Sequence, residues 1–181
     1  FRCQTTVQES PNDIANIALD AAALARLADL PQVVFSDHAH AQEHSLEVHL
    51  PFLQRVLDDF TLVPLAVGHA TPRDVAEVLD LLWGGPETLI VISSDLSHFL
   101  PYAAANQVDR DTCQHILQLD TDIRPEQACG AYPINGLLLA ARRRGLAPQL
   151  IHRCNSGDTA GDRQRVVGYA AFAFHEAADH G

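Results

Sequence analysis

The chain has 181 residues, 47% of them hydrophobic and 19% charged, enough apolar content to bury a core and too much for a disordered segment. Twenty-three acids against twelve bases give a formal charge of −11, which argues against a nucleic-acid or anionic-membrane surface. No window reaches the roughly 18 continuous apolar residues of a membrane helix.

Every base is Arg, and Met is absent, so Phe1 is not a translation start. No basic segment followed by an apolar one precedes the fold, so no signal peptide is expected. Cys3, Cys113, Cys129 and Cys154 lie far apart without a C-x-x-C pair. That spacing predicts reduced thiols and a cytoplasmic chain.

Residues 1–18 are polar and aperiodic, and read as an atypical leader, with one domain expected over 19–181. Asp20 predicts a helix cap, with Leu24, Leu27 and Leu30 on one side of the helix and Pro31 stopping it. Gln32–Ser36 predicts a strand. Ser45–Asp58 predicts a helix that Pro51 must kink or restart, with His49 as a core histidine on its apolar face. Thr61–Val67 predicts an edge strand carrying Pro64. Thr71 and Pro72 open a helix to about Trp83. Thr88–Ile92 (TLIVI) predicts a strand buried on both faces. Helices are expected over Tyr102–Leu119 and Ile134–Arg144, the second ended by Gly145, with Arg142, Arg143 and Arg144 complementing its dipole. Strands near Pro148–His152 and Val166–Phe174 close the chain around a loop, Asn155–Arg165, of hairpin type. The alternation predicts an α/β fold, a mixed, mostly parallel sheet flanked by helices.

Ten histidines are many for packing alone, and His38, His40, His44 and His49 fall within twelve residues. Polar residues gather where such folds bind ligands, beyond strand ends. Asp37-His38-Ala39-His40 and Glu43-His44-Ser45 follow one strand, and Ser93-Ser94-Asp95-Leu96-Ser97-His98 follows TLIVI. Cys129-Gly130 precedes a helix N-terminus, a setting that favours anions and makes Cys129 a candidate thiolate. The plainer reading makes Ser93 and Asp95 turn caps, Glu43 and Ser45 helix-start residues, His98 a hydrogen-bonded structural histidine, and Cys113 and Cys154 packing residues.

Taken together, EHSLEVHLPFL (Glu43–Leu53), SSDLSHF (Ser93–Phe99), Cys129-Gly130, NSGDT (Asn155–Thr159) and VVGY (Val166–Tyr169) resemble the Memo family, known in bacteria and archaea as AmmeMemoRadiSam system protein B. The resemblance covers about Leu19 to Phe174. It implies a fold similar to class III extradiol dioxygenases and a metal pocket, with Cys129 as one ligand and iron or copper as the metal. It implies His98 as acid/base with Asp95 beside it, and Glu43 and His44 near the same pocket. The family's two histidine-ligand motifs have no counterpart here, so the family-type metal site is expected to be incomplete in this chain.

The resemblance implies a metal-dependent redox or oxygen-activating protein that works with radical-SAM and AMMECR-type proteins, with self-association a further expectation. The alternative is a non-catalytic module that binds a metal or a peptide. A hydrolase with Cys129 as nucleophile and His98 as base ranks below both.

Overall fold

Asp20 accepts a hydrogen bond from the Ala23 amide at 2.9 Å and so starts α1 (Ala21–Leu27), which buries Leu24 and Leu27. A computed structural model of the chain describes residues 2–3, 17–41, 43–159 and 161–176. Most of the leader therefore falls outside the described residues. The chain divides into two compact units, 1–70 with 81–93, and 71–80 with 94–181.

In the first unit, β1 (Arg2–Cys3) pairs in parallel with β2 (Val34–Phe35) and antiparallel with β3 (Leu65–Ala66). Ser36 caps α2 (Asp37–His40) by accepting from the Ala39 amide. The chain then runs through turns to α3 (Leu50–Val56). Pro51 stands in the first turn of α3, where a missing N–H costs nothing, so it restarts the helix rather than kinking it. Thr88–Ile92 corrects the sequence reading. It is not a strand, and Leu89 and Val91 are 64% and 46% exposed. A β-branched run becomes a strand only beside a hydrogen-bonding neighbour, and none pairs with it among the described residues.

The second unit takes most of α4 (Pro72–Leu82), all of α5 (Tyr102–Leu117) and α6 (Ala131–Arg144), and a sheet in the order β4-β6-β5. β4 is His98–Leu100, β5 Leu146–Asn155 and β6 Val166–Glu176. β5 and β6 form a long antiparallel hairpin, as the loop between them predicted. The α/β class holds, but among the described residues the strand pairings are mostly antiparallel rather than the expected mostly parallel. Both pairings of this sheet are antiparallel; for β5 and β6 the reason is the short return connection between them, whereas a parallel pair needs a long crossover. Alternation survives at the start of β6, where Val166 and Gly168 are buried and Tyr169 is exposed.

α6 begins one turn before the expected Ile134, with Pro133 inside its first turn, and ends at Gly145 in the left-handed conformation (φ 67°). Arg143 and Arg144 reach Asp80 at 3.2 and 2.9 Å, so they pair with a carboxylate besides facing the helix dipole. Val75, Val78, Ile116, Leu138 and Val166 are among the core residues of this unit.

Candidate metal centre

The segment 94–98 is held from three sides, and that holding builds the site. On one side, Cys129 N–H donates to the Asp95 carbonyl at 3.3 Å, and Gly130 N–H donates to Ser94 Oγ at 2.9 Å. On a second side, Leu96 N–H donates to the Gly168 carbonyl, and Gly168 N–H donates to the Ser97 carbonyl, at 2.8 and 2.9 Å. On the third, the Asp109 carboxylate of α5, fully buried, accepts from Ser97 N–H at 3.0 Å. Cys129 is positioned in turn by α6, whose Asn135 side chain closes on both the N–H and the carbonyl of Ile123.

This scaffold brings together Asp95, His98 and Cys129, whose donor atoms all lie within 4.8 Å of one another. His98 Nε2 is 3.5 Å from Asp95 Oδ2. Cys129 Sγ accepts from Asp95 N–H at 3.2 Å and also lies 3.7 Å from Ser94 Oγ and 3.9 Å from the Asp95 carbonyl oxygen. Donors on one first-row ion at about 2.0–2.3 Å stand roughly 3–4 Å apart, which the Asp95–His98 pair meets. A carboxylate and a thiolate offset a divalent charge, and imidazole suits the same metals. The group is compatible with a metal ion. Cys129 thus has two donor neighbours, the pair that the resemblance assigns to proton transfer rather than the family's histidine ligands.

Glu43 and His44 belong to the first unit. There the Glu43 carboxylate accepts from the N–H groups of His44 and Ser45, each at 2.9 Å. The Ser45 amide above all holds this carboxyl below its usual range. In the same unit His49, expected as a core histidine, is half-buried with Nε2 2.9 Å from Ser93 Oγ. His40 is buried, with neither ring nitrogen hydrogen-bonded among the described residues.

The sequence reading missed Ser94 and Asp109 as supports of the site. The Ser-Ser-Asp run signalled the first. Nothing local signalled the second, because Asp109 sits inside a helix and reaches the site only across the fold.

The family model for Memo-like proteins matches residues 10–173. The chain belongs to the Memo family. It is 32% identical to a MEMO1 family protein of Sulfolobus acidocaldarius, in a match covering 89% of this chain and 62% of that protein. A MEMO1 family protein of Methanosarcina barkeri is 36% identical over 73% of this chain and 55% of its own length. A third, from Methanosarcina mazei, is 36% identical over 80% of this chain and 61% of its own length. The chain thus spans little more than half to three-fifths of these Memo relatives.

Proposed function

We propose that this Memo-family chain is a metal-dependent redox protein whose centre is Asp95, His98 and Cys129. The observation that carries the reading is the convergence of one oxygen, one nitrogen and one sulfur donor within 4.8 Å. Iron or copper held there would supply one-electron and dioxygen chemistry. Asp95 orients the His98 ring, Ser94 and the Asp95 amide support the Cys129 sulfur, and the Asp109 anchor keeps the segment rigid. Binding a metal displaces protons from thiol and imidazole, so affinity rises with pH.

Equilibrium dialysis with ferrous, cuprous and cobaltous ions, followed by elemental analysis, tests this. One ion per chain is expected in the native protein, with thiolate-to-cobalt absorption, and at least about a tenfold loss of affinity in Cys129→Ala. No stoichiometric metal with any of the three ions overturns it.

The 3.5 Å His98–Asp95 contact favours a second role, in which His98 carries a proton at Nε2 and Asp95 orients it. On that role His98→Gln keeps the metal and loses turnover. If His98 is a ligand, the same change loses both. Glu43 and His44, in the first unit, keep the functional role that the resemblance implies for them, so Glu43→Gln and His44→Gln are expected to alter turnover. The partners that fit are radical-SAM and AMMECR-type proteins in the cytoplasm, or a second copy of the chain. Co-purification and sedimentation test these. The alternative, a module that binds metal or peptide without turnover, predicts loaded protein that consumes no dioxygen with any reductant.

A further inference from the structure

Phe99 follows His98 directly and has a backbone that an aromatic residue rarely adopts. β4 pairs His98 with Val167 and Leu100 with Val166, so Phe99 is an extra residue bulged out of the ladder. Its φ is 59°, in the left-handed region that a bulky side chain enters only under strain. The bulge turns the ring outward, 61% exposed, with its centroid 5.8 Å from the His98 ring. Bulges beside functional sites re-aim side chains in this way.

Arg165 lies over that ring, its guanidinium carbon 4.9 Å from the centroid. Among the described residues no carboxylate pairs with Arg165, in a chain with 23 acids to 12 arginines. Its neighbour Arg163 lies likewise over a ring, 4.6 Å from the Tyr102 centroid, but there the tyrosine hydroxyl donates to Asp158, so a carboxylate already stands beside that pair. A guanidinium placed over an aromatic ring and left without a carboxylate keeps its N–H groups for an outside partner, and its fork matches a carboxylate.

We propose that Phe99 and Arg165 form a substrate subsite for an organic carboxylate beside the Asp95–His98–Cys129 group. Arg165 pairs with the carboxylate, and the Phe99 ring takes the apolar body and turns it towards His98. The inference rests on reading that group as the functional centre and names the class of substrate it would receive.

The test is calorimetric titration of the full chain with benzoate and with its neutral isostere benzamide. Saturable one-to-one benzoate binding is expected, with benzamide and the Arg165→Gln variant each weaker by about tenfold or more. Arg143→Gln, which removes an arginine already paired with Asp80, leaves benzoate binding unchanged. Phe99→Gly relieves the left-handed strain, so it is expected to hold or raise the melting temperature while weakening benzoate. A merely structural role for Phe99 predicts no change in benzoate binding. Equal binding of benzoate and benzamide, wild-type binding by Arg165→Gln, or no saturation at tens of millimolar benzoate overturns the subsite. Uptake of ferrous, cuprous and cobaltous ions is measured in parallel. Arg165-dependent benzoate binding without stoichiometric uptake of any of the three would sink the metal reading alone, and the reverse result would sink the subsite alone.

Discussion

Two cysteines of the second unit show how burial divides the roles of one side-chain type. Cys113 is buried in α5, and loss of solvation, with Asp109 adding to it against Arg153, pushes its thiol up to about 11. The folded chain therefore holds this proton more tightly than the unfolded one. Its contribution to stability is complete below the ordinary thiol range and is lost as pH rises through about 11. Iodoacetamide at pH 8 is accordingly expected to label the exposed Cys129 and spare Cys113 until the chain is unfolded, which peptide mass mapping reads directly. Equal labelling of the two in native protein would contradict this. Gly168 illustrates the opposite constraint. A Cβ there would lie 2.0 Å from the buried Asp109 carboxylate, so Gly168→Ala must displace the anchor of Ser97. A loss of about 1–3 kcal/mol is expected in urea unfolding, with weakened metal binding beside it. A loss below about 0.5 kcal/mol, typical of an unconstrained surface site, counts against the anchor.

Among the elements, α4 shows a start signal and a packing constraint that the sequence discloses to different degrees. Thr71 Oγ1 accepts from Asp74 N–H, while the Asp74 carboxylate accepts from the Thr71 N–H and hydroxyl at 3.0 and 2.7 Å. These hydrogen bonds, the hydroxyl first, hold the Asp74 carboxyl below its usual range. The cap is therefore intact at neutral pH and is lost as pH falls through the lowered value. Thr71→Ala is expected to reduce stability at pH 7 and to flatten its acid dependence, as thermal unfolding from pH 7 to 3 would show. The same helix meets α6 where Gly136 faces Val75, and a Cβ on Gly136 would sit 2.1 Å from a Val75 methyl. Gly136→Ala should destabilise by about 1–3 kcal/mol and be relieved in the double variant with Val75→Ala. Additive effects would show that the two helices do not meet through this pair.

At the scale of the whole molecule, apolar surface is left in contact with water. Val48, Phe52 and Val56 stand four residues apart, and Phe52 and Val56 are about three-quarters exposed, at 73% and 74%. Phe52 and Val56 fall on one stripe of α3, and Val48 lies in the turns just before it. Burying such side chains is worth about 1.5–3 kcal/mol each. Self-association that depends on concentration is the expected outcome, with Phe52→Glu and Val56→Glu shifting the chain to monomer in sedimentation equilibrium. A native chain that stays monomeric across the accessible range would refute it. No described helix is long and apolar enough to cross a membrane.

Local chemistry settled much of this protein before any fold was seen. The Asp20 and Thr71 caps, the break that Pro51 imposes, the stop at Gly145 and the 155–165 hairpin follow from backbone rules acting within a few residues. The strings around Glu43, Asp95 and Cys129 carry the family. The α/β class was legible for the same reason, since periodicity is local. Tertiary structure alone decided which way the strands run and whether TLIVI finds a partner, because both depend on neighbours distant in the chain. It alone set Cys129 beside Asp95 and His98, thirty-odd residues apart in sequence. It also tied Ser97 to Asp109 and bulged Phe99 outward under Arg165. A sequence names the donors, but the distance between them is fixed only when α5, α6 and β6 close on the same short segment.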